Sequence, residues 1–444
     1  MKIITIEKSH RHVLFFSFVM LMLVSMTVYG IYQVFYKPIV LEIGIFAGSM
    51  YDVPNWQSYK AFDDEIKKFE NIHPGVKITY RSGTLKEDYS EWLAQKIIKG
   101  KEPDVFCVLP GDFNTFAYIG IMNELDEFIQ NDRGFDIDNM YINAIKSGQF
   151  NHHQYALPRE VDPQLMFVNK TILKKEGIQI PKGNWTWDDF YHVCEQVTKD
   201  LDGDGKLDQF GSTGFSWQHA VYTNGRQLFD ANGEQAKFNQ PEVLEAVDFV
   251  RRLNRLNQNF IVTQEDFDNG KVAFSPFPFS AYRAYKSYPY RIIRYARFDW
   301  ECVKLPKGPH GKNASALNSM LFAMSSRSKH KKEAWAFIQY LTNNYDSQVN
   351  VFRYSHGVPV LRNVTESKEA DKELSKYNPE EEISVDKRIL SEVIEQSTVT
   401  PKFHKYEEAM NMSDKEIYQM INGDRNIEDT LRQLDQKLNK FLQE

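Results

Sequence analysis

Between residues 39 and 110 the apolar positions change period from segment to segment. Ile39 to Ala47 is almost continuously apolar and reads as a buried strand. From Tyr59 to Asn71 the spacing lengthens to that of a helix, with Phe62, Ile66 and Phe69 on one face. Pro74-Gly75 turns the chain, Val76 to Tyr80 alternates as a second strand, and Lys86 to Lys99 suits a helix carrying Trp92 and Ile97. Asp104 to Leu109 is a short apolar strand that stops at Pro110-Gly111. Strand, helix, strand, helix, strand predicts an α/β lobe with a mainly parallel sheet. Ligands of such sheets sit beyond the carboxyl ends of the strands, here Ala47 to Tyr51 and Pro110 to Asn114.

A second pattern starts at Gln154 to Pro158 and continues with a strand at Leu165 to Asn169. Thr186 precedes a helical stretch with Asp189 three residues on, the spacing of a capping box. Trp185 and Trp187 flank that cap; aromatic residues at a helix start are expected to pack rather than to stack on a ligand. Further helices are expected over Pro241 to Arg255, Lys331 to Thr342 and Ile427 to Phe441. In the last, Ile427, Leu431, Leu434, Leu438 and Phe441 form one stripe, which suits a docked terminal helix.

The first residues follow another rule. Val13 to Tyr36 carries no charge and comes after Lys2, Lys8 and Arg11. As a helix it spans roughly 36 Å, enough to cross a hydrocarbon core of about 30 Å. The basic residues before it predict a cytoplasmic N-terminus at 1–12, a transmembrane anchor at 13–36 and an exported remainder. A cleaved signal, with Val28 and Gly30 as the small residues before the cut, is the alternative. The exported part is long enough for two lobes of ordinary domain size. A net charge of -6 with interspersed signs leaves no basic face, which excludes a nucleic-acid partner. Cys107, Cys194 and Cys302 are odd in number and far apart, so no disulfide framework is expected.

The chain contains no GxSxG, HExxH, Walker or dinucleotide fingerprint, so neither catalysis nor a required cofactor is expected. His152-His153 has no Cys or acidic neighbour in the sequence and reads as solvated rather than metal-binding. The stretch from Asp200 to Asp208 is different. Asp200, Asp202, Asp204 and Asp208 occupy positions one, three, five and nine of a calcium loop. Gly205 stands at the sharp turn and the carbonyl of Lys206 at position seven. Gly211 stands where a bidentate Glu belongs. A weak structural calcium site is favoured over a solvated loop of Asx turns.

Several blocks, in order, resemble one family. YALPREVDPQLMFVNKTILKKEGI is similar to a YALP segment followed by a YNK-type strand and helix. WTWDDF is similar to a TWDEF helix start, and GKVAF to a GKaAM strand. DWECVKLPKGPHGKNASALNSMLFAMSSRSKHKKEAWAFIQYLTN is similar to an lP-Gp-G segment, a hinge-crossing strand and a KeaAw-Fi helix. SHGVPVLRNV is similar to a G-lP-r segment. The family is that of the extracellular solute-binding proteins of ABC transporters, in the branch that mostly binds carbohydrates. This chain departs from it in lacking a lipobox cysteine and in carrying AFSPFPFSAYRAY where relatives often have small residues and Trp.

The resemblance implies a class II, two-lobed periplasmic-binding-protein-like α/β fold with hinge segments, behind the N-terminal transmembrane helix. The implied lobes are 39–155 plus 303–346 and 157–300 plus 347–444. It implies capture of a mono- or oligosaccharide in the interlobe cleft and delivery to ABC transporter permease subunits; a membrane-anchored ligand-sensing subunit for a receptor or kinase shares the fold. Sugars are held by aromatic faces and by planar polar groups that share hydroxyls. Strand ends and hinge-side loops then give the candidates Phe46, Ser49, Glu160, Asp162, Trp217, Asn224, Phe277, Phe279, Tyr282 and Asn318. Glu160 and Asp162 are two apart on an extended segment and face one way. That places both on one side of a ligand, poorly for a pair of glycosidase carboxylates.

Overall fold

Residues 17–27, 38–51, 53, 55, 57–258, 260–286, 298–375 and 385–444 are described by the structure, a computed structural model. The expected anchor at 13–36 lies partly outside them. Residues 17–27 are helical and exposed, and among the described residues no helix is long and apolar enough to cross a membrane. The strands are β1 (Ile39–Gly44), β2 (Val76–Tyr80), β3 (Val105–Val108), β4 (Gln149–Phe150), β5 (His153–Gln154) and β6 (Ala156–Asp162). They continue as β7 (Gln164–Asn169), β8 (Phe210–Ser212), β9 (Val272–Pro278), β10 (Trp300–Val303), β11 (Asn318–Met324) and β12 (Val358–Pro359).

One sheet has the order β12-β6-β11-β3-β1-β2, and the other β10-β7-β9-β8. In the first, β1 runs parallel to β2 and β3, as the alternation of strands and helices predicts, and β11 returns antiparallel to β3 and β6. The helix Ser58–Ile72 buries Phe62, Ile66 and Phe69 against this sheet's core. The run of apolar residues in β7 is explained by burial on both faces. Met166 and Val168 join a core with Phe190, Phe249 and Phe274. Leu165 and Phe167 point the other way, with Trp300 stacked on Phe167 at 5.1 Å, into a layer that runs on into the first lobe's core.

Thr186 and Asp189 form the expected capping box. Trp185 and Trp187 are buried; their indole N–H groups donate to the Lys304 carbonyl (2.7 Å) and to Thr223 Oγ1 (3.2 Å). The terminal helix Ile427–Gln443 docks on the second core through Leu431, Leu434 and Leu438. Cys107, Cys194 and Cys302 are buried, and no disulfide forms among the described residues.

The lobes divide differently from the sequence expectation. β6, expected to open the second lobe at residue 157, completes the first sheet, and the chain crosses only at Pro163. Residues after 303 stay with the second lobe, where Lys307 N donates to the Trp185 carbonyl and Gly308 N to that of Thr223. The next crossing comes before β11, where Leu317 N donates to the Thr398 carbonyl. Residues from 347 onward were expected in the second lobe. Val349, Phe352, Val360, Leu390 and Ile394 instead pack in the first core, because β12 pairs with β6 and holds its flanking helices there. Phe403 and the helices that follow return to the second lobe.

Candidate functional site

β6 ends where the chain leaves the first lobe, and its register against β11 shifts opposite Arg159. The irregularity lets a strand that is otherwise apolar carry three charges, Arg159, Glu160 and Asp162, each no more than 2% exposed. Arg159 Nη2 donates to Glu65 Oε1 and Nη1 to Glu160 Oε2, both at 3.0 Å, and the guanidinium lies over the Phe62 ring at 5.1 Å. Glu160 Oε1 accepts from Ser355 Oγ at 2.7 Å. Gly357 packs closely beside it, and a Cβ there would come within 3.1 Å of the Glu160 side chain. Asp162 accepts twice from Ser280, from N at 2.8 Å and from Oγ at 2.7 Å, and so tethers the start of the helix Phe279–Lys286 to the crossing.

Burial raises the carboxyl pKa of both Glu65 and Glu160 even against the pull of Arg159. It pushes Asp162 up to about 7, although Ser280 favours the anion. Around this group lie the Tyr51 hydroxyl and two buried polar atoms without hydrogen-bond partners among the described residues, Ser319 Oγ and His356 Nδ1. The Tyr51 hydroxyl feels Glu160 and Asp162, and it lies close enough to Glu160 to favour that carboxylate's anion. Ser319 stands opposite Val161 in the ladder, and His356 follows the serine that holds Glu160. Burial lowers His356 to about 4, with Arg283 adding to the effect.

The structure brings some of the expected residues together and separates others. Glu160, Asp162 and Asn318 share the crossing, with Asn318 exposed and paired opposite Asp162. Ser49 Oγ accepts from Tyr51 N, so it shapes the loop that carries Tyr51. Phe46 is buried edge-on to Tyr89. Phe277, Phe279 and Tyr282 lie in the apolar layer beneath the crossing, where Phe279 stacks on Tyr282 and the Tyr282 hydroxyl accepts from Val385 N. Trp217 and Asn224 belong to another helix, Trp217–Thr223. Trp217 donates to Asp414 Oδ1, while Asn224 bonds Glu242 and accepts from His310 N. Tyr51 lies in the strand-end segment 47–51 that the sequence placed at the site; sequence reasoning missed Arg159, Ser280, Ser319, Ser355 and His356. Arg159 had a signal, a cation between two carboxylates in an apolar strand; the others had none.

For metals, carboxylate oxygens of Asp200, Asp202 and Asp208 come within 4.8 Å of one another. Asp200 accepts from Gly203 N and Gly205 N, which holds its carboxyl below the usual range, and Asp204 accepts from Lys206 N. Gly211, at position twelve, is inside β8 and supplies no ligand. The expectation that His153 lacks acidic companions is corrected: its Nδ1 lies 3.0 Å from Glu124 Oε1 and 3.3 Å from Asp126 Oδ2. They are remote in sequence and arrive because Leu125 N bonds the Gln154 carbonyl.

Residues 54–345 match the family model described as bacterial extracellular solute-binding protein. The chain belongs to this family. Among relatives of this solute-binding protein, the multiple sugar-binding protein of Streptococcus mutans is 21% identical over 304 residues, covering 62% of this chain and 66% of the relative. The fold is shared with the cyclic alpha-maltosyl-1,6-maltose binding protein of Arthrobacter globiformis (TM-score 0.74, 17% identity, 91% of this chain and 99% of that one). It is shared as well with the sugar-binding protein MalE of Xanthomonas citri (TM-score 0.72, 15% identity, 91% and 97%).

Proposed function

We propose that the chain captures a carbohydrate between its lobes outside the cell and delivers it, unchanged, to the permease of an ABC transporter. The observation that carries this is a group of buried polar atoms at the crossing, Ser319 Oγ and His356 Nδ1, which are unpartnered among the described residues, with the Tyr51 hydroxyl beside Glu160. Each such atom costs about 1–3 kcal/mol while unpaired. Sugar hydroxyls both donate and accept, so one ligand can satisfy them. The names of the relatives support a sugar as the solute.

Glu160 fixes Ser355, the neighbour of His356, Asp162 fixes Ser280, and Asn318 offers its exposed amide at the rim. A ligand that touches both lobes binds the closed arrangement more tightly and shifts the population toward it. The uncharged stretch 13–36 keeps the binding domain at the outer membrane surface. The Asp200–Asp208 loop holds a structural calcium ion outside the binding chemistry. A thermal-shift screen of the chain against mono- and oligosaccharides tests the proposal. A binder at 100 times its Kd stabilises the fold by about 2.7 kcal/mol. An unmoved melting temperature across the panel overturns it.

A further inference from the structure

A cavity of about 1050 Å³ opens beside the free edge of β8, and all of its lining comes from the second lobe, in segments 212–218, 250–262 and 414–424. We infer that this cavity is a second saccharide site, separate from the crossing between the lobes and beyond the transport reading. Ligand pockets commonly hold about 300–1,000 Å³, so the space suits an oligosaccharide better than a single sugar ring.

Asn257 lines the cavity at 9% exposure, and its side-chain amide, which makes no hydrogen bond among the described residues, reaches the cavity's open space. Asn254 and Gln419, also in the lining, are exposed, and among the described residues their side-chain amides make no hydrogen bond. An amide offers two donors and an acceptor, the complement of a sugar hydroxyl pair. Trp217 Nε1 and Gln218 Nε2 both donate to Asp414 Oδ1, at 2.9 and 2.6 Å, and Asp414 Oδ2 accepts from neither. That oxygen is free to take a hydroxyl proton.

Apolar surface lies beside these polar groups. Tyr418 is 69% exposed and Ile261 89%, far beyond what a packed residue shows, and both line the cavity. An exposed tyrosine face beside spare amides is the arrangement that recognises the C–H face of a pyranose. The formal charges of the lining balance, Arg255 and Lys415 against Asp414 and Asp424. A charged ligand therefore gains nothing here, and a neutral polyhydroxylated one does.

The test uses the full chain, a printed array of neutral mono- and oligosaccharides, and isothermal titration with the strongest binder. The wild type is expected to take up two equivalents. Tyr418→Ala with Gln419→Ala and Asn257→Ala should remove one of them, weakening that binding about tenfold or more, which corresponds to about 1.4 kcal/mol. Tyr51→Phe with Ser319→Ala should remove the other. One equivalent, lost at the crossing variant and untouched by the cavity variant, overturns the second site and leaves the transport reading standing. One equivalent lost only in the cavity variant supports the second site and removes the crossing as a binding place. An array without any retained sugar overturns both.

Discussion

Asp162 carries the clearest consequence at the scale of single residues, because its folded pKa near 7 lies far above the ordinary carboxyl value of 3.8. An acid with a raised folded pKa keeps its proton in the fold while the unfolded chain has lost it, so its contribution to stability is full at low pH and declines between about 4 and 7. Asp162→Asn removes that decline. Urea unfolding across a pH series should show the variant gaining on the wild type from about pH 4 to pH 7 and no further above it. A flat difference would mean that Asp162 is charged throughout. His356 acts in the opposite sense: its lowered pKa makes stability rise with pH between about 4 and 6.5, and it is common to both proteins, so it cancels in the comparison. The two carboxylates of β6 could be found from the sequence, since they follow the YALP segment directly. Their partners could not, because Glu65 and Ser355 are brought in by folding from far along the chain.

Among the elements that the sequence left unread, the helix Phe279–Lys286 matters most for the site. Its proline-interrupted start and crowded aromatics follow neither period, yet it joins the lobes. Arg283 donates to the Phe352 and Glu373 carbonyls of the first lobe, and Val53 packs on Ala281 and Ala284. Arg283→Ala should loosen the sugar-free protein, read as a larger radius of gyration by small-angle scattering, with saturating sugar restoring the smaller value. An unchanged radius would show that the helix does not hold the lobes together. The early strands and helices were legible because each has one period and one buried face. The Asp200–Asp208 loop was legible as a spacing, and its turns were found as Asx bonds to Gly203, Gly205 and Lys206. If it holds calcium, chelation should lower the melting temperature, and Asp202→Ala with Asp208→Ala should abolish that sensitivity. Equal melting curves with and without chelator would leave it a solvated turn.

For the whole molecule, the two-lobed architecture follows from the chain's length and the family resemblance, but the ownership of residues 347–398 does not. A short strand, β12, decides it by pairing with β6, and two residues are too few to announce a sheet from sequence alone. The layer under β7 joins the two cores, with Leu165 and Phe167 of one sheet packed continuously with the other. Scanning calorimetry should therefore give one transition whose van't Hoff and calorimetric enthalpies agree. Two resolved peaks would show that the lobes melt as independent units.

The three sealed sulfhydryls make the chain ready for use as a reporter. Burial pushes the Cys107 and Cys194 thiols far above the range in which they ionise, and Cys302 is buried too, so none presents a reactive thiolate to a probe in the native state. A cysteine placed at the exposed Asn318 would then be the single site that a maleimide dye attaches to. Sitting at the rim of the crossing, the dye would report occupancy as a change in brightness, and no native cysteine would have to be removed first.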